Sequence, residues 1–304
     1  MDISRDSVRR ARPLLGTLVE ISIGEPLHAI VEHAIDAAFE TVARVHRLMS
    51  FHEGESDVRR LNRLAQLRPI AVDPWTFKVL ETALELHKRS DKSFDITVAR
   101  VLQRMRLLPG PTNPVASVAL AVDTADAIEL LPGYHVRYRD PGIQIDLGGI
   151  AKGFAVDRAV EVLQEHGIWR GLVNAGGDLA GFGPDPHLIY VRDPQDPRQL
   201  ICGIEITNEA LASSGRRFDP VHSAATSVTA IIDPSTNAPV RTVVGATVRA
   251  PSCMLADALT KVVMIQGESA GPLLARYQAN ALTVRAGGVI RITQDWQGAV
   301  SLAS

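Results

Sequence analysis

The run Asp146-Leu147-Gly148-Gly149-Ile150-Ala151-Lys152-Gly153-Phe154-Ala155-Val156-Asp157 sets glycines between an expected strand and an expected helix, with a lysine in the first helical turn. Such a turn presents backbone N–H groups, the positive end of a helix and an ammonium to one point, as anion binding requires. Two familiar phosphate motifs do not explain it. A Walker loop needs Lys-Ser or Lys-Thr directly after its second spaced glycine, but Gly153 is followed by Phe154. A Gly-x-Gly-x-x-Gly dinucleotide fingerprint is absent as well. The plain alternative is a tight strand-to-helix turn with a solvated lysine.

A second turn, Asn174-Ala175-Gly176-Gly177-Asp178, follows the next expected strand. Alone it is ordinary turn chemistry; with the first, it could set glycine backbones and carboxylates around one polar ligand. In Ala256-Asp257-Ala258-Leu259-Thr260-Lys261 a lone carboxylate stands at the start of an expected helix. Asp257 reads either as a cap or first-turn residue or as a hard oxygen ligand for Mg²⁺ beside a phosphate.

The elements that must position these residues follow from periodicity and turn signals. Residues 14–23 alternate as a half-buried strand does, and residues 28–49 repeat apolar side chains at helical spacing. Ser56 caps an expected helix over 56–67, and Asp73-Pro74 opens another over 75–88. Residues 93–108 read as a loop and helix ended by Pro109-Gly110-Pro111, and 108–114 is a candidate subdomain seam. Strands are expected over 127–131, 135–138, 143–147, 172–174, 188–191, 203–207, 211–213, 228–232 and 245–248. Helices are expected over 150–167, ending at Gly167, and over 254–265, with a closing hairpin over 282–292. Long helices alternating with hairpin-like strands indicate an α+β fold, mixed sheets packed with helices.

A length of 304 residues allows two domains or one large unit, and 46% hydrophobic residues supply a core. A formal net charge of −2 and 5% aromatic residues argue against a nucleic-acid partner. Cys202 and Cys253 form no close pair, so a reducing compartment fits. The start of the chain is polar and then basic, without the apolar stretch of a signal peptide, and no segment approaches the ~18 apolar residues of a membrane span. The expectation is a cytoplasmic protein without membrane insertion.

Taken in order, these segments resemble the FAD:protein FMN transferases, the ApbE-like flavin transferases. The resemblance runs from Leu15-Gly16-Thr17 through Met49-Ser50-Phe51-His52, Arg60-Leu61-Asn62 and Phe94-Asp95-Ile96-Thr97-Val98 to residues 146–157. It continues through Val173-Asn174-Ala175-Gly176-Gly177-Asp178, Ser213-Ser214-Gly215, Ile231-Ile232-Asp233-Pro234 and residues 250–259. It implies one unit over 1–304, two subdomains with FAD in the cleft between them, and transfer of FMN from FAD to a Thr or Ser hydroxyl of a target protein. AMP is released and Mg²⁺ is needed; the partners are FAD and an acceptor flavoprotein subunit or domain. By the same resemblance Leu15, His52, Ser93, Phe94, Asp95, Asp146, Lys152 and Ile231 contact FAD. The carbonyls of Gly149 and Thr260 and the carboxylate of Asp257 hold the metal, and Asp257 and Lys261 share the catalytic helical face.

Three positions depart from the family pattern. His52 stands where a Tyr often stacks on the flavin, Ala230 where many members have a His, and Lys261 where a Thr completes the metal site. An ammonium has no lone pair for a metal. Lys261 either neutralises phosphate itself as a point charge or reaches solvent and pairs with Asp257 or Glu268. Two other activities therefore stand beside transfer: a FAD pyrophosphatase giving FMN and AMP, and a catalytically silent FAD-binding protein.

Overall fold

The computed structural model describes residues 7–110, 124–215, 229–294, 296 and 300–302. In β2 (Thr17–Ile23) the alternating Val19, Ile21 and Ile23 are buried, so one face of this strand belongs to the core. It pairs antiparallel with β1 (Val8–Leu14), Leu14 opposite Thr17. The expected single strand over 14–23 is thus the end of one strand, a turn and a second strand. Leu15 and Gly16 both take positive φ, 55° and 70°, as a two-residue hairpin turn demands. Leucine is a rare residue for that conformation, which hid the reversal.

The chain continues through α1 (Ala29–Met49), α2 (Asp57–Leu64), β3 (Ile70–Ala71), α3 (Pro74–Arg89), a 3₁₀ turn (Ile96–Val98), α4 (Ala99–Arg104), β4 (Ile128–Leu131) and β5 (His135–Tyr138). After α5 (Ala151–Glu165) come β6 (Gly171–Ala175), β7 (Asp178–Phe182), β8 (His187–Arg192), β9 (Leu200–Ile206) and β10 (Glu209–Gly215). The last are β11 (Ile232–Asp233), β12 (Ala238–Pro239), β13 (Val243–Ala250), α6 (Cys253–Gln266), α7 (Gly271–Arg276), β14 (Asn280–Arg285), β15 (Ile290–Ile292) and β16 (Val300–Leu302). Ser56 caps α2 and Asp73 caps α3 through side-chain oxygens, as their positions in the sequence require.

Among the described residues, eight strands form one antiparallel sheet in the order β1-β2-β6-β7-β10-β13-β14-β15. Helices α1, α5 and α6 bury Val31, Ala38, Ala155, Ala159, Leu259 and Val263 in one core with the near-face residues Val19, Ile21, Val173 and Val248. The far face packs Leu179, Leu211 and Leu282 against Ile201 and Ile204 of a smaller sheet, β16-β9-β8. This layering is an α+β fold of helices and antiparallel sheets.

Three further expectations differ. Residues 143–147 form no strand. Instead the Asn62 amide brackets Ile145, donating to its carbonyl at 2.9 Å and accepting from its N–H at 2.7 Å, as a neighbouring strand would. The expected strand over 228–232 is a two-residue bridge, β11, paired with β12, and Val228 lies outside the described residues. β7, not expected, is buried along its whole length and therefore lacks the alternation that marks a half-exposed strand. Of the seam at 108–114, residues 111–114 lie outside the described residues.

Candidate active site

Two helix starts carry the candidate residues. Helix α5 begins at Ala151 with no side-chain cap, just after the Gly148-Gly149 turn. Helix α6 is capped by Ser252, whose hydroxyl accepts from the Leu255 N–H, so it begins a full turn before Asp257. Asp257 is therefore neither a cap nor a first-turn residue, and the helix-start alternative for it falls. The two helices cross at Gly153, where a Cβ would sit 2.2 Å from the Cys253 carbonyl oxygen. Only glycine permits that approach, and it lets Asp257 Oδ2 accept the Gly153 N–H at 3.1 Å. Asp157, one turn further along α5, accepts the Cys253 and Met254 N–H groups at 2.7 and 2.9 Å and so caps α6 from the side.

This crossing brings four charged side chains together. Lys152 Nζ pairs with Asp178 Oδ2 at the start of β7, and Lys261 Nζ pairs with Asp257 Oδ1. Lys261 also donates to the Asp257 carbonyl at 3.0 Å. Asp178 and Asp257 are fully buried, whereas the side chains of Lys152 and Lys261 keep 32% and 18% exposure. Burial alone would raise the Asp257 carboxyl, but the Lys261 and Lys152 ammoniums and the Gly153 N–H hold it below the usual carboxylate range. Burial also opposes the charge on Lys152, yet Asp178 and Asp257 raise it above an ordinary lysine. Asp178 is pushed up by burial and by the Asp257 charge. Its Oδ1 is buried without a hydrogen-bond partner among the described residues. The expected anion site thus spends its ammonium and one helix N–H on the protein's own carboxylates, although Lys152 retains further N–H donors.

Thr260 and Gly149 close the cluster. The buried Thr260 hydroxyl donates to the Asp257 carbonyl at 2.7 Å and shares a 2.7 Å hydrogen bond with Ser214 Oγ at the end of β10. A Cβ at Gly149 would lie 3.5 Å from Lys261 Cε and 3.8 Å from Phe94 Cε2, so Gly149, Lys261 and Phe94 meet. Phe94 is itself buried in the main core.

A second group lies alongside. Asp146 is joined to the 3₁₀ turn by its N–H, which donates to the Ile96 carbonyl at 2.8 Å. Asp95 caps that turn, accepting the Thr97 N–H at 2.7 Å. Burial pushes the Asp146 carboxyl up, while the Gly148 N–H and the nearby His52 pull it back. Ser93 Oγ accepts from the Gln266 amide at 2.9 Å. Ser93, Asp95, Gln266, Asp233 and Ser235 line a cavity of about 700 Å³ that opens one turn beyond Lys261 along α6. Leu15 and Ile231 are half-buried and pack against the main core. No hydrogen bond among the described residues joins either to the charged cluster.

The sequence singled out Asp178 only as part of a glycine turn, not as a site residue. Its signal was the Gly-Gly-Asp step itself: the Gly176-Gly177 turn returns the chain so that Asp178 starts a wholly buried strand, and a carboxylate there needs a cation. Ser214 likewise stood only within a motif, and its pairing with Thr260 depends on strand order.

The sequence model of the ApbE family matches residues 15–285. An FAD:protein FMN transferase of Vibrio cholerae is 29% identical over 295 residues, covering 92% of this chain and 86% of its own length. One from Salmonella typhimurium is 24% identical over 250 residues, covering 77% of this chain and 71% of its own. The crystal structure of an ApbE protein from Thermotoga maritima superposes with a TM-score of 0.85 at 27% identity, over 97% of this chain and 99% of that one. The match spans both glycine turns, the Ser93–Asp95 segment and the Asp257–Lys261 helix, and the chain belongs to the ApbE family.

Proposed function

We propose that this chain, acting as one unit over 1–304, transfers FMN from FAD to a serine or threonine hydroxyl of an acceptor protein and releases AMP. The observation that carries the reading is the cluster of Lys152, Asp178, Asp257 and Lys261 beside the Gly148-Gly149 turn. Family membership and relatives bearing the name FAD:protein FMN transferase support it.

In this reading FAD's pyrophosphate lies over the two lysines, whose side chains are the half-buried members of an otherwise buried cluster. The acceptor oxygen attacks the FMN-side phosphorus, and the bond from that phosphorus to the bridging oxygen breaks. AMP leaves with the bridging oxygen, and the hydroxyl proton passes to the leaving phosphate or to water. Lys152 and Lys261 stabilise charge on the transferring and leaving oxygens, and the buried carboxylates hold both ammoniums in place beforehand. The cavity at Ser93 and Asp95 offers room for one end of the dinucleotide. Phe94 acts from the core, setting the Gly149 turn, while Asp146 and His52 face the flavin side together with Leu15 and Ile231.

Mg²⁺ is the ion implied by the family resemblance, and the donor set tests whether it fits. Among the described residues no three His, Cys, Asp or Glu side chains converge, and Asp257 is the one carboxylate ligand that the resemblance implies. One of its oxygens holds the Lys261 ammonium and the other the Gly153 N–H. Lys261 stands where a threonine ligand is expected and offers no lone pair. The residues present do not fit a divalent ion at this carboxylate.

The test is incubation with FAD, with and without candidate acceptor proteins, scoring AMP and flavin that survives denaturation. Transfer predicts AMP in step with covalent flavin. AMP with free FMN only would identify a pyrophosphatase, and bound FAD without AMP a silent binder.

A further inference from the structure

The charged cluster is balanced by its own residues. Asp178 and Asp257 supply two negative charges, and Lys152 and Lys261 supply two positive ones, each lysine on a buried carboxylate. Lys261 stands four residues after Asp257 in α6, the spacing that brings side chains together on one helical face. Its stem also touches the other side of the site, since its Cε lies 3.5 Å from where a Gly149 Cβ would be. The lysine therefore fills the space between Gly149 and Asp257, two of the three groups, with the Thr260 carbonyl, from which the resemblance has an ion held. Its Nζ takes both the Asp257 carboxylate and the Asp257 carbonyl, two oxygens that a hard cation would seek. A divalent ion entering there would meet an ammonium at contact distance and be repelled.

We infer that Lys261 is a tethered cation that replaces the divalent ion at Asp257, so that this chain handles a dinucleotide pyrophosphate without a metal at that carboxylate. The inference rests on the proposed flavin-transfer reading for the pyrophosphate, but its primary test uses no flavin. Mn²⁺ is titrated into the flavin-free full-length protein and followed by electron paramagnetic resonance and calorimetry. The same is done for Lys261→Thr, for Asp257→Asn and for the two combined, each checked for folding by circular dichroism.

The wild type is expected to show no saturable Mn²⁺ site that depends on Asp257. Lys261→Thr should gain one, on the order of 10- to 100-fold tighter than any wild-type binding, and the double variant should lose it. A saturable wild-type site abolished by Asp257→Asn overturns the proposal, as does a folded Lys261→Thr that gains none. If Lys261→Thr does not fold, the wild-type titration still decides, together with FAD affinity measured in chelator and in excess Mg²⁺. Equal FAD affinity in the two is expected, and a loss on chelation overturns the inference. Failure to bind FAD at all would sink the transferase reading while leaving the Mn²⁺ result to stand or fall independently.

Discussion

Removing Asp257 and Lys261 together should cost clearly less than the sum of the losses from removing each alone. Asp257 is fully buried and accepts from the Lys261 ammonium and from the Gly153 N–H at 3.1 Å. Asp257→Asn strands an ammonium in a mostly buried position, although its amide oxygen can still accept the Gly153 N–H. Breaking a buried pair costs about 3–5 kcal/mol; because the Lys261 side chain keeps 18% exposure and can turn to water, the lower end applies. Lys261→Met strands the carboxylate instead, with the Lys152 charge and the Gly153 N–H as its remaining support, and should cost ~2–3 kcal/mol. Replacing both, as Asp257→Asn with Lys261→Met, removes the uncompensated charge. The double variant should then be more stable than the sum of the single losses by at least ~1.5 kcal/mol. Urea unfolding of wild type, Asp257→Asn, Lys261→Met and the double variant gives the coupling directly. Additive losses, within about 0.5 kcal/mol, would refute the claim that these residues form one buried pair.

Gly153→Ala should destabilise the protein by ~2 kcal/mol or more, because the ~1 kcal/mol gained in helix propensity is outweighed by a Cβ 2.2 Å from the Cys253 carbonyl oxygen; an unchanged thermal midpoint would remove the close helix crossing. Burial pushes Asp157 up to about 7, above its unfolded value, so the folded chain keeps a proton that the unfolded chain releases. Its stabilising contribution is full below about pH 4, is lost as pH rises through about 7, and is absent in Asp157→Asn, whose stability should vary less over that window; parallel melting curves for the two proteins would contradict this. Asn62→Ala removes both hydrogen bonds to Ile145 and should cost ~2 kcal/mol in chemical unfolding, where a loss under ~0.5 kcal/mol would mean that the bracket holds nothing.

The helices were legible because their signals are local. Ser56, Asp73 and the apolar spacing of α1, α5 and α6 act within one or two turns of the chain. Strands were legible where one face is exposed. β7 is buried on both faces and carries no alternation to mark it, and 143–147 has a strand's apolar alternation although its partner is a side chain, Asn62. The charged cluster was half legible. Lys152 and Asp257 could be named from their motifs, and Gly149, Thr260 and Lys261 from the family resemblance; the structure brings all five together. That Asp178 pairs with Lys152 requires knowing that β7 lies beside the start of α5, a fact of strand order. The i, i+4 spacing left Lys261 free to choose between Asp257, Glu268 and solvent; burial of Asp257 decides it, and Glu268 lies near Arg291 instead.

Transfer of FMN, at this cluster, onto an acceptor protein is the central claim. An extract of the source cells is incubated with FAD and the purified protein, separated under denaturing conditions and scanned for flavin fluorescence, with Lys152→Met run in parallel at matched FAD occupancy. The account predicts a fluorescent protein band that resists denaturation, requires the wild-type protein, and is lost or strongly reduced with Lys152→Met. Flavin released entirely on denaturation, or a band equally strong with Lys152→Met, would contradict it.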